Sequence, residues 1–311
     1  CWGISASVYH PAGLTLISNG VSERGTGLAY HGIAGNLGIG LGPLTAAVLL
    51  LFVEWRTVAL VLGAPALLAA VYALRADFDE TAAVEPVTDG GSDGDGASGS
   101  KADAGVDSLA EFLAQSKRLF ASTFALVFVV VMCSGLYYRG ILTFMPELVS
   151  GLPGFDPVAV GSLLPDPLRS ALGVPAAGGQ TLQPATYFYS GLLLIGVFGQ
   201  YAGGKLTDRV PVEYGIAGAF GTLAALAVLF VPVSGMGVAP LLALGALLGV
   251  ALFVVQPLYQ ATVAEYTPAG TRGLSYGFTY LGVFGVGALG GGIAGTILQY
   301  SSVAALFLAL A

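Results

Sequence analysis

Between Glu213 and Glu265 the chain carries no charged side chain. About 20 apolar residues suffice to cross the hydrocarbon core of a bilayer. The stretch therefore holds two crossings, parted by the turn Ser234-Gly235-Met236-Gly237. Inside hydrocarbon every backbone N–H and C=O must be satisfied within the protein, which leaves helices or a closed β-barrel. A barrel alternates apolar and polar residues in short strands, and these runs do not alternate. Charged residues make up 9% of the whole chain and hydrophobic ones 55%, with a mean hydropathy of +0.82. A soluble domain carries about 25% charged residues, so the expected class is an all-α integral membrane protein.

The same reading places spans at 1–19, 26–52, 56–75, 119–149, 185–206, 213–233, 238–264 and 273–299, with a ninth beginning near Val303. Lys and Arg orient them, because cytoplasmic loops hold the excess of positive charge. With the turn at 20–25 inside, Arg24, Arg75, Lys101, Lys117, Arg118, Lys205, Arg209 and Arg272 are all inside. Arg56 and Arg169 are then outside, and Arg139 lies within a span. This bias expects a multi-pass cell-membrane protein. The chain starts inside one apolar run and stops inside another, so we expect a piece cut at both ends.

Two of the spans echo each other. Arg24-Gly25-Thr26-Gly27-Leu28-Ala29-Tyr30 opens one, and Arg272-Gly273-Leu274-Ser275-Tyr276 opens the other. Gly27, Leu28 and Tyr30 align with Gly273, Leu274 and Tyr276, and after a slip of one residue Gly38 and Gly40 meet Gly285 and Gly287. Six crossings separate the copies, so both point the same way. Parallel repeats of spans are the architecture of two-halved transport folds.

Charge is local. Of 18 acidic residues, those from Asp77 to Glu111 account for most of the net charge of −7. The 76–118 segment reads as a cytoplasmic linker, whose Thr88–Ser100 core is too polar to fold. Ser108-Leu109-Ala110-Glu111 matches a capping box and should start a short amphipathic helix through Phe112, Leu113, Lys117 and Arg118. Residues 150–184 form an outer loop, with a short surface helix expected within Asp156–Leu172. Cys1 and Cys133 sit in apolar runs and suggest no disulfide framework. No basic patch points to nucleic acid, and no metal-ligand or hydrolase motif is present.

Three landmarks carry functional information. Gly204-Lys205-Leu206-Thr207-Asp208-Arg209 ends a span with small residues, an acid and two cations. Gly204, Leu206, Asp208 and Arg209 match the conserved loop motif of the major facilitator superfamily, which this loop resembles, with Pro211 where that motif has glycine. Gly38-Ile39-Gly40-Leu41-Gly42-Pro43 has the Gly-xxx-Gly spacing that permits close helix contact, and its proline loosens the helix. It resembles the superfamily's antiporter motif, with Ala46-Ala47 in place of the later glycine pair. Tyr9-His10-Pro11, Gly35-Asn36-Leu37-Gly38, Gly42-Pro43-Leu44 and Tyr138-Arg139-Gly140 with Phe144 and Pro146 resemble the fosmidomycin-resistance branch. The Gly-x-Gly-x-x-Gly run from Gly285 to Gly290 follows no strand and reads as a helix-packing ladder, not a nucleotide loop.

Ionisable groups within spans are costly and therefore functional candidates. His10 lies near mid-membrane and His31 in the inner third. Histidine titrates near neutrality, as a proton carrier must. Arg139 stays charged at any working pH, so it needs water, a carboxylate or an anionic substrate; Glu147 is its nearest acid in sequence. Asn36, Tyr137, Gln200, Gln256, Tyr259 and Gln260 are further polar span residues, and Gln256 and Tyr259 lie on the seventh span, which lines the cavity in the family.

The resemblance implies two six-helix bundles. Residues 1–75 would hold spans four to six of the full fold, 76–118 the linker, and 119–311 spans seven to eleven and the start of twelve. It implies a secondary transporter, not an enzyme, with no cofactor and no metal. Its partners would be a small organic solute, a coupling ion (a proton) and the lipid bilayer. Efflux by alternating access is the preferred mode, with His10, His31, Asn36, Arg139, Gln256 and Tyr259 on the pathway. Gly38, Gly42, Pro43, Gly204, Asp208 and Arg209 would serve conformational change. The alternatives are uptake of a small organic anion by symport, or a non-transporting sensor on the same fold. The orientation is testable alone. A cysteine at Ser92, with Cys1 and Cys133 replaced by alanine, should react with an impermeant maleimide only in opened cells; labelling of intact cells would invert the topology.

Overall fold

The computed structural model describes residues 9–10, 12–14, 16–17, 20–22, 24–77, 108–172, 181–267 and 271–311. Most of the expected 1–19 span and linker residues 78–107 lie outside the described residues. Six helices among the described residues are long and apolar enough to cross a membrane. They come from α1 (Arg24–Leu49), α2 (Trp55–Ala73), α4 (Phe124–Leu142) with α5 (Met145–Ser150), α9 (Val212–Ser234), α10 (Val238–Tyr266), and α11 (Arg272–Tyr280) continuing through a π segment (Leu281–Val286) into α12 (Leu289–Tyr300). At roughly 1.5 Å per residue each spans a hydrocarbon core of about 30 Å. α3 (Leu109–Phe120) precedes α4, and α13 (Val303–Leu310) follows α12.

α8 (Pro184–Thr207) is 24 residues long but is not among those six. It carries Tyr187, Tyr189, Gln200, Tyr201 and Lys205, which lower its apolarity. Its place explains the composition. α8 packs between α1 and α10, with the most extensive helix contacts in the molecule. Ser190 and Gln200 are buried there.

Lipid tails are as apolar as leucine, so close packing and polar contacts, not exclusion from water, bring spans together. Gly199 of α8 lies against the backbone carbonyl of Val250 in α10, where a side-chain carbon has no room. Gly249 of α10 meets the carbonyl of Leu192 in return. α9 lies on the far side of α10, and the hydroxyl of Tyr266 donates to the carboxylate of Glu213, tying the end of α10 to the start of α9. α4 packs on the π segment and α12, where Gly290 approaches the carbonyl of Leu136. α2 is almost wholly exposed, with Val58 its one buried side chain.

Two spans differ from the sequence expectation. The 119–149 span is broken at both ends. The Ser122 hydroxyl donates to the Leu119 carbonyl at 2.6 Å and ends α3, while Pro146 restarts the chain as α5. The 273–299 span is not one regular α-helix: Gly287 N–H donates to the carbonyl of Gly282 at 2.9 Å, five residues back. Such π insertions are found mostly within α-helices and often at functional sites. The Ser108 cap forms as read, its Oγ accepting from Glu111 N–H at 3.1 Å, and the Glu111 carboxylate accepts from Gln115 Nε2. The 150–184 loop holds the expected short helix, α7 (Asp166–Leu172), after a four-residue α6 (Val160–Leu163). It also holds an unforeseen antiparallel pair, β1 (Val158–Ala159) with β2 (Thr181–Leu182).

Replacing Gly199 by valine should destabilise the protein by about 1–3 kcal/mol, the usual cost of overpacking. Gly218→Ala, whose added carbon meets nothing within 4 Å, should not destabilise it. Thermal unfolding in detergent measures both, and equal midpoints would refute the α8–α10 contact.

Candidate functional site

A cavity of about 530 Å³ opens among α1, α4, α8, α10 and the α11–π segment, with His10 at its wall. It gathers His10, His31, Asn36, Arg139, Gln256 and Tyr259. These six come from four separate elements, so the packing of helices brings them together, not their order in the chain. A second cavity of about 600 Å³ lies beside β1 and β2; its lining is mainly apolar and includes none of the six.

Each wall has its own local logic. α10 contributes Gln256, Tyr259 and Gln260, a spacing of three and four that puts them on one helical face. α11 and the π segment contribute Tyr280 and Phe284 by the same rule. The His10 ring stacks on Tyr280, centroids 4.4 Å apart and planes at 10°, and lies 5.5 Å from Phe284. Gln260 Nε2 donates to the Tyr280 hydroxyl at 3.3 Å, bracing that platform from α10. His31 stands across from His10 with ring centroids 6.3 Å apart, and Tyr9 Oη lies 3.5 Å from His31 Nδ1.

Two polar atoms at this wall are buried without a partner among the described residues: His10 Nδ1 and Asn36 Nδ2. Asn36 is 2% exposed. An unpaired buried polar group costs about 1–3 kcal/mol. The wall thus holds bonding capacity that a ligand or water can satisfy. Gln256 is better supplied. Gln200 Nε2 donates to its Oε1 at 2.6 Å. The Gln200 amide in turn lies against Gly32 of α1, where a side-chain carbon would sit 2.5 Å from Oε1.

Arg139 is the only guanidinium on the cavity wall, and no carboxylate lines that wall among the described residues. Glu147 is not its partner: no ion pair joins them, and Arg139 has none with any described acid. The Thr143 hydroxyl donates to the Arg139 backbone carbonyl at 2.6 Å and does not engage the guanidinium. Tyr137 also lines the cavity, yet its hydroxyl donates to the Leu223 carbonyl of α9 at 2.8 Å and is committed to packing. Tyr189, Tyr280 and Phe284 were missed in the sequence. For Tyr280 and Phe284 the available signal was their four-residue spacing.

The conformational motifs divide. Gly204 and Asp208 line a crevice of about 110 Å³ with Thr26, Ala29 and Tyr30, at the opening turns of α1. Asp208 therefore sits beside a helix N-terminus, where negative charge is favoured. Arg209 is exposed and is not part of that crevice. Gly38 and Gly42 correct the expectation of a close contact: a carbon added at either meets nothing within 4 Å among the described residues. Gly40, on another face of α1, makes the contact, against Leu194 of α8. Pro43 lies inside α1, which continues to Leu49.

A family model described as Major Facilitator Superfamily matches residues 1–291. Comparison with curated proteins and with solved structures returns no match.

If Arg139 faces water, Arg139→Cys in a background without Cys1 and Cys133 should react with a small charged thiol reagent. Val129→Cys on the same helix, exposed on its outer surface, should stay unreactive in a bilayer. Equal reactivity at the two positions would place Arg139 off the cavity.

Proposed function

Because the chain belongs to the Major Facilitator Superfamily, whose members are secondary transporters of small solutes, we propose that it exports a small organic compound in exchange for protons by alternating access. The observation that carries this reading is the convergence of His10, His31 and Arg139, from three separate elements, on one cavity. Two imidazoles supply groups that titrate near neutrality, and a permanent cation supplies a fixed charge for the solute to meet. The resemblance of residues 7–47 and 137–147 to the fosmidomycin-resistance branch supports efflux over uptake.

In this scheme α1 and α8 form the moving seam. Gly32 against Gln200 and Gly40 against Leu194 are its contacts, and Asp208 beside the start of α1 is its latch. Asn36, Gln256 and Tyr259 hold the solute from two sides of the seam. A second reading is favoured by one observation. Arg139 has no acidic partner among the described residues, as expected for a counter-ion to an organic anion carried inward with protons.

Reconstituted vesicles loaded with pyranine test both, with fosmidomycin as the first probe. Exchange predicts proton movement opposite to the solute, and symport predicts movement with it. Binding without flux would overturn both in favour of a sensor. Arg139→Ala should lower transport roughly 10- to 100-fold, because a hydrogen bond to a charged group contributes about 1.5–3 kcal/mol. Unchanged transport in both Arg139→Ala and His10→Ala would remove these residues from the pathway.

A further inference from the structure

We propose that His10 and His31 form a single proton-binding site that takes one proton, not two, over the working pH range. The proposal rests on the reading of this cavity as a proton-coupled site and adds its stoichiometry.

The argument is geometric. The two rings come from different elements yet lie 6.3 Å apart, nearly perpendicular. The charge of an imidazolium is spread over its ring, so the centroid separation is the relevant distance. At an effective dielectric of about 20, two unit charges so placed repel enough to weaken the second proton about a hundredfold. Among the described residues no negative charge on the wall offsets that repulsion. Arg139 on α4 adds positive charge to the same cavity, and no carboxylate lines it among the described residues. The other ionisable groups there among the described residues are neutral phenols: Tyr9 beside His31, Tyr137 and Tyr138 on α4, Tyr189 on α8, Tyr259 on α10 and Tyr280 on α11.

One contact attracts a proton to His10. The face of Tyr280, 4.4 Å from the His10 ring, attracts a cation through its π system. His10 Nδ1 has no partner among the described residues, which leaves a site on the ring for a proton or for a solute group. The pair therefore behaves as one carrier with two seats. Protonating either ring suppresses protonation of the other, and one proton per cycle passes through this site whichever way the solute moves.

The test needs no solute. The chain contains two histidines. Protein labelled with ¹³C,¹⁵N-histidine in lipid nanodiscs should give their ring signals, assigned by their loss in His10→Asn and His31→Asn. In the wild type the second protonation step should fall about two pH units below the first, a hundredfold weakening. In each variant the surviving ring should protonate well above the pH of the wild type's second step, which would show that its partner had held the second proton off. Wild-type protein with both rings fully charged at pH 5 would overturn the proposal. So would a titration of either ring that is unmoved by removal of the other. His10→Gln serves if His10→Asn does not fold, and the wild-type titration decides by itself if neither does. These outcomes are separable from failure of the exchange reading, which is measured by pyranine and leaves the titration untouched.

Discussion

The structure depends on backbone carbonyls of one span lying where the neighbouring span has no side chain. Gly199 under Val250 and Gly249 under Leu192 let α8 and α10 meet backbone to backbone. In a bilayer this contact has no hydrophobic driving force behind it; dispersion and polar contacts must supply the attraction. Close approach maximises the first and makes the second possible. Gln200 can reach Gln256 at 2.6 Å because the helices that carry them are in contact a turn or two away. The cavity wall on α10, from Gln256 to Gln260, is thereby fixed relative to α8.

The same contact explains why the protein can hold polar groups at membrane depth. Each amide or hydroxyl removed from water needs a partner. Tyr137 uses the Leu223 carbonyl, and Tyr280 uses Gln260. Thr262, buried in α10, uses the Leu258 carbonyl four residues back in its own helix. At the cavity wall, His10 Nδ1 and Asn36 Nδ2 are buried without a partner among the described residues. Packing polar groups are thus separable from available ones by their hydrogen bonds, a distinction that residue type alone does not make.

Most of the architecture was legible before the structure, because a span is a local property: twenty apolar residues declare themselves without reference to neighbours. The positions of α1, α2, α9 and α10 follow from this, and so does the cap at Ser108. Properties set by neighbours were not legible. The π segment at Leu281–Val286 lies where α4 presses against a glycine-rich stretch, and the glycines read as a regular ladder. The spacing of Gly38 and Gly42 signals small size on one face, yet it cannot say whether another helix lies there; Gly40 and Gly32 carry the contact instead. Glu147 was a reasonable partner for Arg139 by helical spacing, but the helix ends at Leu142 and restarts at Met145, so their relative directions are not those of one continuous helix. Candidate site residues were found singly, by the rule that polar groups in lipid need a reason. Their convergence on one cavity became visible only when four elements were assembled.

Packing seam and cavity wall share one side chain. The Gln200 amide touches Gly32 of α1 on one side and holds Gln256 of α10 on the other. A carbon at position 32 would sit 2.5 Å from Gln200 Oε1, so a side chain brought to that place would displace the amide. Displacing it frees Gln256 Oε1, which faces the same space as Arg139 and Tyr259. Conversely, a group that engages Gln256 from the cavity competes with Gln200 and loosens the amide that fills the α1 notch. Steric contact at Gly32 and one hydrogen bond thus join the packing of α1 to the cavity wall.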